Sequence, residues 1–178
     1  MPGAGKSTVA TALSKCGFVV VTMGDCVREE SSKRGLDPTD ENLGKLMLDL
    51  RKEDGPAAIA NLVAKKISKI HSEQNKNKFV VDGIRSNSEI DLLKEIGVVK
   101  IIGIHASTPI RFRHLKKRSR TDAPSTMKDC ELRDQRELEV GVSKAIALAD
   151  EIIPNNDITI DELILKARKI IKKWVNSF

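Results

Sequence analysis

The stretch MPGAGKST, Met1–Thr8, decides how the rest of the chain is read. Its Gly5-Lys6-Ser7 has the form in which a phosphate-binding loop, G-x-x-x-x-G-K-[ST], ends. Backbone N–H groups of Gly3, Ala4, Gly5, Lys6 and Ser7 can turn inward around an anion, and the positive end of a following helix favours negative charge there. Lys6 is then placed for the β- and γ-phosphates of a nucleotide, the Ser7 hydroxyl for Mg²⁺, and Thr8 for the helix start. Counting back from Gly5, the first glycine of the motif falls one residue before Met1, and the strand that should feed the loop is absent too. The expectation is a chain that begins late, at an internal methionine. An ordinary glycine-rich helix entry is the plainer alternative.

Working outward, Val9, Ala10 and Leu13 follow at helical spacing, giving a helix from about Lys6 to Lys15 with Gly17 as its stop. FVVVT, Phe18–Thr22, is a continuous β-rich run and reads as a buried parallel strand. Leu43, Leu46, Met47 and Leu50 make one apolar face of a helix that Asp54-Gly55-Pro56 breaks. Ile59, Leu62, Val63 and Ile67 make another, followed by a polar loop, His71–Lys78. FVVDG, Phe79–Gly83, is a second strand, and Ser86-x-x-Glu89 is a capping box opening a helix that Gly97 stops. Val98–His105 reads as a third strand, Pro109 as the start of a basic helix, and Glu151–Ile153 as a fourth strand. Thr159-x-x-Glu162 caps a last helix that buries Leu163, Ala167, Ile170 and Trp174. Strands alternating with helices predict a single α/β domain over residues 1–178, with a mostly parallel sheet. At the end of its strand, Asp82 can hold a magnesium-bound water, as a Walker-B carboxylate does, or simply cap the turn before Gly83.

Composition narrows the partners. The net charge of +6 suits anions such as nucleotide phosphates. With no Tyr, one Trp and four Phe, the chain lacks the aromatic platform on which single-stranded bases stack, so nucleic acid is not the expected partner. No apolar run reaches the roughly 18 to 20 residues of a membrane span, and no signal-peptide pattern is present. The three cysteines, Cys16, Cys26 and Cys130, form no C-x-x-C and read as reduced thiols of a cytoplasmic protein. No spacing among His71, His105 and His114 suits a metal.

Taken together, MPGAGKST, TMGDCVREE, VVDGIRS, the basic stretch RFRHLKKRSR and ALADEIIPNN resemble a nucleoside monophosphate kinase, most nearly the archaeal group of adenylate-kinase-related P-loop proteins. The resemblance covers nearly the whole chain. It implies a P-loop NTPase fold, a doubly wound parallel sheet of nucleoside monophosphate kinase type whose first strand is missing here. It also implies ATP and Mg²⁺ as cofactors, a helical acceptor-binding insert over residues 27–70, and a lid over 118–138. On this likeness Thr22 and Asp25 meet the acceptor, and Arg28 and Arg85 hold its phosphate; guanidinium forks suit phosphate oxygens. Arg118, Arg120, Arg133 and Arg136 would close on the transferring phosphoryl group, and Asn155 would lie at ATP. RDQRELEVGVSKAIALADEIIPNN is also similar to the C-terminal half of dephospho-coenzyme A kinase, where Asp25 could act as base toward a ribose hydroxyl. A P-loop switch ATPase acting on RNA or ribosomes is the alternative of another class.

Overall fold

Each of the two clearest apolar runs becomes a strand, and the two pair. In the computed structural model, which describes residues 1–117 and 124–175, β1 (Val19–Thr22) lies parallel to β2 (Phe79–Asp82). The register matches Val19 to Phe79 and Thr22 to Asp82, so the polar ends of both strands finish side by side. A second parallel pair joins β3 (Ile102–His105) to β4 (Glu151–Pro154), with Ile102 opposite Glu151. The strands therefore form two two-stranded sheets. Between them, bordered by β2 and β3, lies an apolar cavity of about 610 Å³ reaching Val9, Phe18, Ile146 and Trp174.

Nine helices occur among the described residues. The loop leads into α1 (Lys6–Ser14), whose Val9, Ala10, Ala12 and Leu13 are buried. Three helices fill the connection from β1 to β2: α2 (Met23–Lys33), α3 (Asp40–Asp54) and α4 (Ala58–Gln74). Thr39 caps α3, its hydroxyl accepting the Asn42 N–H at 3.2 Å. These helices close a core around Met23, Ile59 and Val63, each fully buried, with Leu46 and Leu50. Burying a side chain of that size contributes about 1.5–3 kcal/mol. After β2 comes α5 (Asn87–Ile96), which begins in the capping box of Ser86 and Glu89. Then α6 (Thr108–Lys117) follows β3, and α7 (Met127–Val140) and α8 (Val142–Ala147) precede β4. Last, α9 (Ile160–Val175) packs Leu163 and Ala167 with Leu13, Ile104 and Ile153 in a second core.

Three expectations need correction. In place of one mostly parallel sheet, the strands form two separate parallel pairs. The tract His71–Lys78 is not all loop: α4 continues to Gln74 and ends where Asn75 turns left-handed at φ 50°. The third strand is shorter than Val98–His105. Asp150 takes the Ile101 N–H at 2.8 Å and the Lys100 ammonium at 2.9 Å, so pairing with β4 starts only at Ile102.

Candidate phosphate-binding site

The glycine loop is held from two sides. Gly5 has φ 105°, a left-handed backbone that favours glycine. A Cβ there would stand 2.7 Å from Nδ2 of Asn155. Asn155 follows β4 directly, is 7 % exposed, and donates from Nδ2 to the Ala4 carbonyl at 2.9 Å. It therefore braces the loop from behind. From the front, Nη1 of buried Arg111 donates to the Pro2 carbonyl at 3.2 Å, and Nδ1 of His114 lies 2.9 Å from the Gly3 carbonyl. Arg111 is itself fixed by Asp134 of α7, at 2.8 Å from Nη1. A Cβ on Gly3 would stand 2.5 Å from the Arg111 carbonyl, which shows how closely α6 approaches the loop.

Lys6, Ser7 and Asp82 meet in one small cavity of about 110 Å³. Ser7 Oγ donates to Asp82 Oδ2 at 2.9 Å, and Lys6 Nζ donates to the Met1 carbonyl at 2.9 Å. Asp82 Oδ1 is buried with no hydrogen-bond partner. An unpartnered buried carboxylate oxygen is costly unless something completes it. Beside a serine hydroxyl, it offers the oxygen donors that Mg²⁺ takes, with the remaining positions left to phosphate and water. The residues thus fit the ion; among those described, no group of three or more His, Cys, Asp or Glu forms a metal cage by itself.

The cavity is also lined by Thr22, which is the N-cap of α2 and the register partner of Asp82, and by Gly24 and Arg28. Arg28 is 30 % exposed and pairs with Asp25 at 2.9 Å. Asp25, 58 % exposed, does not border the cavity. Arg85 does border it, but already paired: Nε donates to Glu137, Nη1 donates to the Gly83 carbonyl at 3.0 Å, and the backbone N–H reaches Glu89 at 2.7 Å. Burial pushes the Glu137 carboxyl up, yet Arg85, Lys6 and Arg133 outweigh it and hold the group below the usual carboxylate range. Burial likewise disfavours the charged Arg85, and Glu137 more than offsets it, so both stay ionised. Arg133 of α7 also lines the cavity. Arg118 and Arg120 fall outside the described residues.

The structure brings Gly3, Lys6, Ser7, Thr22, Arg28, Asp82, Arg85 and Arg133 to one cavity; Asn155 is spent on Ala4, Arg136 on Asp40, and these four, with Gly5, Thr8 and Asp25, do not border it. Sequence reading missed Glu137, Arg111 and His114. For the last two a signal existed: they stand three apart in the basic stretch, on the single face of α6 that meets the loop. Glu137 carried none, because one more carboxylate in a charged helix looks like solvated surface.

Comparison with known proteins places this geometry. The family described as AAA domain matches residues 1–131. The UPF0200 protein of Pyrococcus furiosus is 42 % identical over 174 residues, covering 96 % of this chain and 92 % of that protein. That of Pyrococcus abyssi is 39 % identical over 160 residues, covering 88 % and 84 %. That of Hyperthermus butylicus is 35 % identical over 173 residues, covering 97 % and 90 %. A lysine and serine at the start of α1, a facing strand-end aspartate and these matches agree: the chain belongs to the AAA domain family of P-loop proteins and, within it, to the UPF0200 proteins found in archaea.

Proposed function

We propose that the chain is an ATP- and Mg²⁺-dependent kinase that phosphorylates a small, phosphate-bearing, nucleotide-like acceptor. The observation that carries this reading is the single cavity lined by Lys6, Ser7 and Asp82, one of whose carboxylate oxygens is orphaned, together with Thr22 and Arg28. Lys6, Ser7 and Asp82 suit the donor's phosphates and their metal ion, and Arg28 suits an acceptor phosphate. The pairs β1–β2 and β3–β4 are read as halves of a wound kinase sheet, residues 27–70 as the acceptor insert, and residues 118–138, which include most of α7, as the lid. The protein carries a P-loop, and no helix among the described residues is long and apolar enough to cross a membrane.

The acceptor oxygen would form a new bond to the γ-phosphorus while the bond from that phosphorus to the β–γ bridging oxygen breaks, releasing ADP. Positioning and charge neutralisation dominate such a reaction. The loop amides and Lys6 would hold the donor phosphates, and Arg133 would face the group in flight. Bound at Ser7 and Asp82, Mg²⁺ would neutralise charge on the β- and γ-oxygens. Arg28 would orient the acceptor phosphate, exchanging Asp25 for it. Arg85 would keep its ties to Glu137 and Gly83 and shape the floor as a fixed positive charge.

A phosphate acceptor is anionic at neutral pH and needs no general base, whereas a ribose hydroxyl benefits from one. The position of Asp25 outside the cavity favours the phosphate acceptor over dephospho-coenzyme A. The test is a screen with γ-labelled ATP against nucleoside monophosphates and dephospho-coenzyme A, with Arg28→Ala alongside. Label passing to a monophosphate, with a raised acceptor KM in Arg28→Ala, is the expected result. ATP hydrolysis without transfer, joined to salt-sensitive RNA binding, would point instead to the switch ATPase.

A further inference from the structure

Outside the phosphate-site cavity, one carboxylate ties two parts of the molecule together. Asp40 is the first residue of α3, and both its oxygens face α7. Nη2 of Arg136 pairs with Oδ2, Nη1 of Arg136 reaches the Asp40 carbonyl at 3.5 Å, and Nη1 of Arg133 lies 3.6 Å from Oδ1. Arg133 also lines the phosphate-site cavity, so the carboxylate touches a residue of the site while standing outside it. The next turn of α3 is shaped for this contact: Gly44 carries no side chain where Nη1 of Arg136 crosses, and a Cβ there would collide with it. Glycine in a helix interior lowers helix stability, so its place under an arginine calls for a reason.

We propose that Asp40 is a positioning residue, a clasp between α3 and α7 that keeps Arg133 directed at the phosphate site. Arg136 supplies the tight half of the clasp. The role assigned to Arg133 rests on the kinase reading above; the clasp itself rests on the contacts of Asp40, Arg136 and Gly44.

Two mutants separate this from a bystander charge. A carboxylate merely near the site repels anions, so Asp40→Asn would tighten anion binding, and Gly44→Ala, which alters no charge, would do nothing. A clasp gives the opposite sign: both variants should weaken binding of inorganic tripolyphosphate with Mg²⁺. The loss should be on the order of tenfold, the equivalent of one charge-assisted hydrogen bond. Calorimetry reads the affinity, and hydrogen exchange of ligand-free α7 reads the clasp directly. Faster exchange in α7 with weaker binding in both variants, and partial recovery in Asp40→Glu, is the expected pattern. Unchanged or tighter binding in both, or α7 exchange equal to that of the unaltered protein, would overturn the proposal. If tripolyphosphate binds but no acceptor is ever labelled, the kinase reading fails and the clasp stands or falls on these same measurements.

Discussion

Replacing Glu137 by Gln tests the electrostatics of the site most directly. The substitution keeps side-chain size and removes the charge facing Arg85. Arg85 is 17 % exposed and Glu137 7 %, so the guanidinium would stay largely out of water with neutral carbonyl acceptors, Gly83 and the new amide, and the remaining charges of Glu89 and Asp82 in place of its nearest anion. Breaking a buried pair from one side typically costs 3–5 kcal/mol, and the residual carbonyl bond places the expected loss near the low end, about 3 kcal/mol. For a chain of this length that corresponds to a fall in Tm of roughly 6–12 °C. The pH dependence carries the sign. The Glu137 carboxyl is held below its unfolded value of about 4.3, so its contribution is complete above that pH and fades as pH falls through the folded value. Circular-dichroism melts should therefore show a wide gap between the two proteins at pH 7 that narrows below about pH 4. Tripolyphosphate should raise the Tm of Glu137→Gln more than that of the unaltered chain, because the anion pairs Arg85. The double variant Arg85→Met with Glu137→Leu should recover much of the loss. A gap under about 1 kcal/mol, no larger than an exposed ion pair gives, or one that stays constant into acid, would refute the reasoning.

Other outcomes follow from the same cavity. Lys6→Ala should abolish phosphoryl transfer while the melt stays within a few degrees of the unaltered protein; full activity would remove Lys6 from the phosphates. With Asp82→Asn, nucleotide affinity measured by calorimetry should fall in the presence of Mg²⁺ and change little in EDTA, and equal loss in both would mean that Asp82 holds the loop rather than the ion. Asp25→Asn should mainly raise the acceptor KM through a misplaced Arg28; a collapse of kcat with KM unmoved would restore Asp25 as a base and favour a hydroxyl acceptor.

What could be read in advance was whatever local chemistry decides. VVVT and FVVD are strands because runs of valine suit a buried parallel ladder, and Ser86 with Glu89 caps α5 as its spacing requires. Lys6, Ser7 and Asp82 could be grouped because a phosphate loop constrains what must face it. Relations between distant segments were not legible. The sequence neighbourhood of Asn155 does not show that it points at Ala4, nor does that of Arg85 show that it is spent on Glu137. Helix α7 was hidden for a similar reason: its charged residues are paired with Arg85, Arg111 and Asp40, so its inward face is polar and lacks apolar periodicity.

The apolar cavity between β2 and β3 has a mechanical consequence. The phosphate loop and the start of α1 bridge it, tied to β2 through Ser7 and Asp82 and to the end of β4 through Ala4 and Asn155. Each strand pair is internally bonded, and one short segment is fastened to both of them. Breaking the Asn155–Ala4 bond would free the loop from the β4 side, and breaking the Ser7–Asp82 bond would free it from β2. A change in either strand pair therefore reaches the phosphate site through a single hydrogen bond.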